Sequence, residues 1–243
     1  QATSDTADNS RRRHQIGPGR YRWTMTSISP VDDHYTGSVA GPHQPQRRTT
    51  ANATITKMSV GPMDNNVYVL TCTQTGEQLL IDAANDAPAI LALLEELPGT
   101  LRAILTTHGH PDHWQALAEV AAATGVPTLA GRDDAPLLPI APDRLLDDGD
   151  EITVGNLTLS AIHLTGHTEG SIALALRDAS NDAAGPLSVQ LVTGDCLFPG
   201  GVGKTWQPGD FERLLGDVTT KLFDVYPDDT AVYPGHGSDT TLG

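Results

Sequence analysis

The sequence predicts an α/β fold in which two mixed β-sheets pack face to face and helices cover their outer faces. Three observations predict it. Short apolar runs of strand length outnumber helical patterns, turn residues separate these runs, and the order of the elements repeats in two halves. Because each sheet must bury one apolar face, two sheets of similar size are expected to pack against each other.

The predicted strands are short runs bounded by glycine, proline or other turn residues, and they lie at 53–58, 66–72, 77–82, 101–105, 126–130, 152–154, 157–162, 171–176, 187–193 and 230–233. Apolar residues recur at helical spacing in three segments, which predicts helices at 86–97, 112–123 and 209–223. Asp86 is the expected N-cap of the first helix. Two polar connections, at 131–149 and 178–186, are predicted to lack regular structure.

The chain of 243 residues can hold one large domain and an extension. Residues 1–50 are interpreted as an N-terminal extension that is partly flexible, because its first part is polar and has no periodic apolar pattern. The strand and helix patterns become clear from residue 51 onward. Residues 51–243 are therefore interpreted as the domain that carries the function.

The charge balance disfavours a nucleic-acid partner, since 30 acidic residues against 15 basic ones give a net charge of −15. No stretch of eighteen apolar residues is present, so no membrane span or membrane partner is expected. The N-terminus lacks the apolar centre of a signal peptide, so a soluble cytoplasmic protein is expected. The sequence leaves the oligomeric state open.

The segment 108–113, His-Gly-His-Pro-Asp-His, places four metal-capable side chains within six residues, directly after the strand predicted at 101–105. Imidazole and carboxylate groups together suit zinc or another first-row divalent ion. His108 and His110 can point the same way across the tight turn. Asp112 and His113 then emerge in another direction where a helix is predicted to begin, which indicates two metal ions rather than one.

Three further fragments repeat one arrangement, in which a strand ends, a glycine turns the chain and a ligand-type residue appears: His167 after Gly166, Asp195 after Gly194 and His236 after Gly235. Four such fragments in one chain predict a metal site. Cys196 lies next to Asp195, but neighbours on an extended segment point apart, so it is expected to pack in the core.

The remaining histidines are not predicted to be metal ligands. His163 is expected to make either a hydrogen bond to the site or a partly buried structural contact. His14, His34 and His43 lie in the extension and are expected to be exposed.

The ordered motif set resembles the metallo-β-lactamase-fold hydrolase superfamily over about residues 51–243. The resemblance implies an αββα sandwich with a two-metal site at the open edge of the sheets. It also implies ligand roles, which are His108, His110 and His167 for the first ion, Asp112, His113 and His236 for the second ion, and Asp195 as the bridge between them. Zinc is the favoured metal, with iron or manganese as alternatives.

Such a centre implies hydrolysis, because two divalent ions lower the pKa of a shared water and supply a metal-bound hydroxide, which Asp112 would orient as the catalytic residue. No serine or cysteine nucleophile is then needed. Within the superfamily, true β-lactamases lack the bridging aspartate found here as Asp195, and the acidic charge disfavours the nuclease branch.

The segment 195–206 resembles the glyoxalase II segment that follows the bridging aspartate. In that family a lysine aligned with Lys204 binds the glycine carboxylate of glutathione, and Trp206 stands where a tyrosine would be. Lys204 and Trp206 are therefore candidate substrate-binding residues, although Lys204 could also be an ordinary surface lysine. The residues after His236 resemble the short glyoxalase II-like hydrolases, which lack the helical glutathione-binding domain, so the thiol carrier stays open.

The expected function is hydrolysis of an anionic acyl-thioester of a low-molecular-weight thiol, such as S-lactoylglutathione. A mononuclear-iron persulfide dioxygenase is one alternative, and a lactonase or β-lactamase-like hydrolase is another. A binding protein with a structural metal is disfavoured, because structural zinc sites are closed cages of four ligands whereas seven candidate ligands for two ions leave open positions.

Overall fold

The computed structural model describes residues 27–38, 41–177 and 189–243. The first sheet has seven strands, which are hydrogen-bonded in chain order and are β1 (Gln46–Thr49), β2 (Ala53–Val60), β3 (Asn65–Cys72), β4 (Glu77–Ile81), β5 (Thr100–Thr106), β6 (Thr128–Gly131) and β7 (Arg144–Leu146). Strands β1 to β4 pair antiparallel, and β4 to β7 pair parallel. The carboxyl ends of the parallel strands therefore meet at one edge of the sheet.

The second sheet follows in the chain and has the order β15-β14-β11-β10-β9-β8. Its strands are β8 (Glu151–Val154), β9 (Leu157–His163), β10 (Ile172–Arg177), β11 (Val189–Gly194), β14 (Ala231–Pro234) and β15 (Thr240–Thr241). A separate two-stranded hairpin, β12 (Leu197–Phe198) with β13 (Gly201–Val202), follows β11. The parallel pair of β11 and β14 places the carboxyl ends of both strands at the same edge.

Three helices cover the outer faces of the sheets: α1 (Ala87–Glu96), α2 (Leu117–Thr124) and α3 (Asp210–Val218), which continues into a π-helical turn over Thr219–Phe223. One apolar cluster, which includes Leu79, Leu105, Leu159 and Leu174, fills the space between the sheets. Two others lie outside it, one under α1 and α2 and one under α3. The layers are thus helix, sheet, sheet, helix, which confirms the predicted αββα sandwich.

The helix predicted at 112–123 is wrong in its first turn. Pro111–His113 forms a separate 3₁₀ turn, and α2 begins only at Leu117. The reason is a tertiary contact, because the backbone N–H groups of Gln115 and Ala116 donate to Ala84 and Ala83 after β4 instead of extending a helix from Asp112.

Five of the described strands were not predicted from the sequence, and they are β1, β7, β12, β13 and β15. β7 lies inside the connection at 131–149, and β1 lies inside the predicted extension, where it pairs with β2. The domain boundary at residue 50 stays a prediction, although β1 extends the first sheet beyond it. Residues 1–26 of the extension, with His14, and the loop predicted at 178–186 lie outside the described residues.

His34 is exposed as expected, but the prediction for His43 is wrong. His43 is half-buried, and its Nε2 lies 2.7 Å from Asp86 Oδ2, close to the start of α1. Within the ranges that the structure describes, none of the helices has the length and apolarity that a membrane crossing requires.

Candidate metal centre

The predicted ligands all follow the carboxyl ends of strands, and they converge where the edges of the two sheets meet. His108 and His110 follow β5, and Asp112 and His113 lie in or beside the 3₁₀ turn after it. The second sheet contributes the others, which are His167 from the β9–β10 connection, Asp195 after β11 and His236 after β14. A backbone hydrogen bond of 2.9 Å from Ile172 to Thr107 links the two sheets at this edge.

The first group of candidate ligands is His108, His110 and His167. His167 Nε2 lies 2.9 Å from His110 Nδ1 and 3.2 Å from His108 Nε2. His167 Nδ1 lies 2.7 Å from the carbonyl oxygen of Lys204, to which it donates, so Nε2 presents a lone pair to the other two rings. Lone pairs at these distances repel one another unless a cation or a proton lies between them, so the geometry fits a metal ion.

The second group is Asp112, His113 and His236. The Nε2 atoms of His113 and His236 are 3.1 Å apart, and Asp112 Oδ2 lies 3.5 Å from the former and 3.2 Å from the latter. His236 Nδ1 donates to the carbonyl oxygen of Met63 at 2.9 Å, which turns Nε2 toward the group. Because the remote nitrogen carries the proton, the inner nitrogen is free to bind a metal.

Asp195 lies between the two groups. Its Oδ2 is 3.4 Å from His236 Nε2 and 3.7 Å from His167 Nε2, and its Oδ1 is 3.4 Å from His113 Nε2. Among the residues that the structure describes, buried Oδ1 has no hydrogen-bond partner. A buried carboxylate oxygen without a donor is costly, and a cation would satisfy it. The donor set and this oxygen therefore fit two divalent ions with Asp195 between them.

Gly235 leaves space for the side chains of Asp195 and His113. A Cβ atom at this position would lie 2.2 Å from Asp195 Oδ1 and 2.7 Å from His113 Cε1. Both distances are far below a van der Waals contact, so any side chain would push the carboxylate of Asp195 out of place. The glycine that sequence reasoning treated as a turn residue is also required by this close approach.

Burial lowers the pKa of His108, His110 and His167, which favours the neutral imidazole that binds a metal. Burial has the same tendency at His113 and His236, but the carboxylate of Asp195 outweighs it at both, together with that of Asp82 at His113, and the pKa of both histidines is raised. The carboxylates therefore place more negative charge around the second group of candidate ligands than around the first.

For the carboxyl groups the balance is reversed. Burial opposes ionisation of Asp112 and Asp195, yet the hydrogen bond from Asn65 lowers the pKa of Asp112 and the contacts with His113 and His236 lower that of Asp195. Both groups are therefore carboxylates at neutral pH, which is the state that a metal ligand requires.

The residues that orient the candidate ligands have no recognisable pattern in the sequence. Asp82, at the end of β4, accepts hydrogen bonds from His113 Nδ1 at 2.9 Å and from the backbone N–H and hydroxyl of Thr107 at 2.7 and 2.8 Å. Asn65 donates to Asp112 Oδ2 at 3.0 Å. The only hint in the sequence was the position of Asp82 at a strand end, because these contacts join distant parts of the chain.

Asp134 connects the two ligand turns of the first group. Its buried carboxylate accepts hydrogen bonds from Gly109 N at 2.7 Å, beside His108 and His110, and from Gly170 N at 2.8 Å and Thr168 Oγ1 at 2.6 Å, beside His167. One side chain thus fixes the distance between turns that belong to different sheets.

The candidate substrate residues lie at the rim of the centre. The Trp206 ring is 5.8 Å from the His110 ring, and Lys204 Nζ lies 3.9 Å from the centroid of the Trp206 ring. Trp206 is 55% exposed. Its ring therefore presents an apolar surface beside the ligands, and Lys204 provides a cation there. Cys196 is buried in the core cluster under α3, and His163 contacts the carbonyl oxygen of Glu169 rather than the ligands.

An αββα sandwich with two groups of histidine and aspartate ligands at the open edge defines a class of metal-dependent hydrolase. Comparison with known proteins agrees, because the profile of the metallo-beta-lactamase superfamily matches residues 60–236. The chain therefore belongs to the metallo-beta-lactamase superfamily.

Individual relatives show which branches it is similar to. The hydroxyacylglutathione hydrolase GloC of Haemophilus influenzae is 32% identical over 183 residues, which cover 68% of this chain and 82% of that protein. Among solved structures, ETHE1 from Myxococcus xanthus has a TM-score of 0.65 at 27% identity and covers 77% of this chain and 79% of its own. The di-iron-bound form of TTHA1623 has a TM-score of 0.63 at 31% identity, with 77% and 94% covered.

Proposed function

We propose that this protein hydrolyses acyl-thioesters of a low-molecular-weight thiol, using two divalent metal ions. The observation that carries the proposal is the convergence of seven candidate ligands into two groups that share Asp195. His108, His110 and His167 would hold the first ion. Asp112, His113 and His236 would hold the second.

The bound ions would supply a nucleophile, because a water shared by two divalent ions ionises near neutral pH, and they would stabilise the charge on the attacked carbonyl oxygen. Asp112 would orient this water and accept its proton, since Asn65 donates to its Oδ2 at 3.0 Å and holds the carboxylate in place. The overall hydrolysis would consume one water and break the thioester C–S bond, giving a carboxylate, a thiol and a proton.

The choice of substrate follows from the rim of the centre and from the relatives. Lys204 stacks on Trp206 beside His110, which provides a cation for an anionic group of the substrate and an apolar surface for its chain. The similarity to GloC, a hydroxyacylglutathione hydrolase, supports a thioester over a lactone or a β-lactam. S-lactoylglutathione is the first candidate, and zinc is the first candidate metal.

The test combines elemental analysis of the purified chain with turnover on a panel of S-lactoylglutathione, an acyl-coenzyme A, a lactone, a cephalosporin and a glutathione persulfide. We expect about two metal ions per chain and the highest kcat/KM on a thioester. One iron per chain, with oxygen consumed on the persulfide, would instead identify a dioxygenase. A clear preference for the lactone or the cephalosporin would also overturn the proposal.

A further inference from the structure

His236 differs from the other candidate ligands in how it is supported. It lies on a turn between Gly235 and Gly237, neither of which has a side chain that could pack in the core. Its own side chain is 22% exposed, whereas that of His113 in the same group is fully buried. Apart from the hydrogen bond of its Nδ1 to Met63, the position of His236 therefore depends on the hydrogen bonds made by the backbone of its turn.

A buried lysine makes one of these hydrogen bonds. Lys57 of β2 donates from Nζ to the carbonyl oxygen of Gly237 at 2.7 Å, directly after His236. The same ammonium group donates to Asp239 Oδ1 at 2.6 Å and to the carbonyl oxygen of Gly37 at 3.0 Å. With three acceptors the ammonium group is fully used, and its side chain is only 4% exposed.

The N-terminal segment closes this arrangement from the other side. The hydroxyl of Tyr35 donates to Asp239, and the backbone N–H of Asp239 donates to the carbonyl oxygen of Gly37 at 2.9 Å. Gly37 has φ of 74°, and a Cβ atom there would lie 3.2 Å from Asp239 Cβ. Arg48 stacks over the Tyr35 ring at 4.5 Å, so the tyrosine is itself held in place.

Stability alone gives little reason for such a pair. Burial lowers the pKa of Lys57 and raises that of Asp239, which shows that removing both charges from water opposes the attraction between them. Buried ion pairs often add no net stability, and apolar residues of similar size can replace them. Together with Asn66, whose Nδ2 donates to the same oxygen at 3.0 Å, the pair gives the carbonyl group of Gly237 a fixed direction.

We propose that Lys57, Asp239 and Tyr35 are positioning residues that hold the turn carrying His236 and thereby set the affinity of the second metal position. The inference rests on the proposed two-metal centre. It also gives part of the N-terminal extension a role in that centre, because Tyr35 and Gly37 lie outside the predicted domain at 51–243.

The test titrates the metal-free full-length chain with Zn²⁺ by calorimetry and compares the dissociation constants of the two ions. The main variant combines Lys57→Met with Asp239→Leu, which removes both charges together and leaves neither one buried alone. Tyr35→Phe is a milder second variant that removes only the hydroxyl contact with Asp239. Leu93→Ala is the control, because this buried α1 residue belongs to an apolar cluster that contains none of the candidate ligands, and its truncation destabilises the fold.

In the double variant we expect the second ion to bind about 10–100-fold more weakly and the first ion to keep its affinity within about threefold. Tyr35→Phe should cause a smaller loss at the second position only, and Leu93→Ala should leave the ratio of the two affinities unchanged. Equal losses at both positions would reduce the pair to a general structural role. Unchanged affinities in a folded double variant would also overturn the inference, whereas a wild-type chain that binds fewer than two ions would instead overturn the proposed centre.

Discussion

Replacement of Asp134 by alanine is expected to destabilise the metal-free protein strongly, although Asp134 is not a candidate ligand. The change removes the acceptor of two backbone N–H groups, Gly109 and Gly170, in a place where Asp134 is only 1% exposed. Each buried donor left without an acceptor costs about 1–3 kcal/mol. The expected loss in the free energy of unfolding is therefore about 4 kcal/mol, or roughly 8–16 °C in Tm for a chain of this size.

The assay is urea unfolding of the metal-free protein, followed by tryptophan fluorescence. Trp114 is a suitable reporter, because its Nε1 donates to the carbonyl oxygen of Gly109 at 2.9 Å in the same turn. Asp133→Ala provides a matched control, since this neighbouring aspartate is exposed and its loss should change stability by no more than about 0.5 kcal/mol. If the two variants unfold at the same urea concentration, Asp134 does not hold the two turns together.

Three further outcomes are expected. Asp112→Ala should lower kcat by at least about 100-fold with an unchanged circular dichroism spectrum, and full turnover in this variant would exclude Asp112 as the proton acceptor. Lys204→Ala should raise KM for an anionic thioester with little change in kcat, whereas Arg102→Ala, at the opposite end of β5 and paired with Glu77, should change neither. Removal of metal by a chelator should abolish activity, and Zn²⁺ at about 100 times its dissociation constant should stabilise the fold by about 2.7 kcal/mol in a thermal unfolding experiment. A Tm that does not respond to Zn²⁺ would contradict the metal centre.

The clustering of the histidines and aspartates could be predicted because its sequence signals are local. A glycine turn at a strand end and a histidine or aspartate next to it are visible in the sequence, and strand ends of one sandwich meet at one edge. The helix start at Leu117 could not be predicted, because carbonyl groups in the loop after β4 accept hydrogen bonds from the N–H groups of Gln115 and Ala116. Strand β1 was missed for a similar reason, since its polar sequence, Gln-Arg-Arg-Thr, pairs with β2 through the backbone.

The residues that form hydrogen bonds with the ligands and their turns could not be predicted either. Asp82, Asn65 and Asp134 look like ordinary polar residues in the sequence, and only the folded chain brings them beside His113, Asp112 and the two ligand turns. His43 was predicted to be exposed for the same reason, because its partner Asp86 lies 43 positions away.

Each proposed metal position would take two ligands from the turn after β5 in the first sheet and at least one from the second sheet. Neither half of the chain can therefore assemble a position by itself. During synthesis, the second proposed metal position would stay incomplete until His236 has left the ribosome and β14 has docked. Metal ions would thus bind at these positions only after the two sheets have packed together.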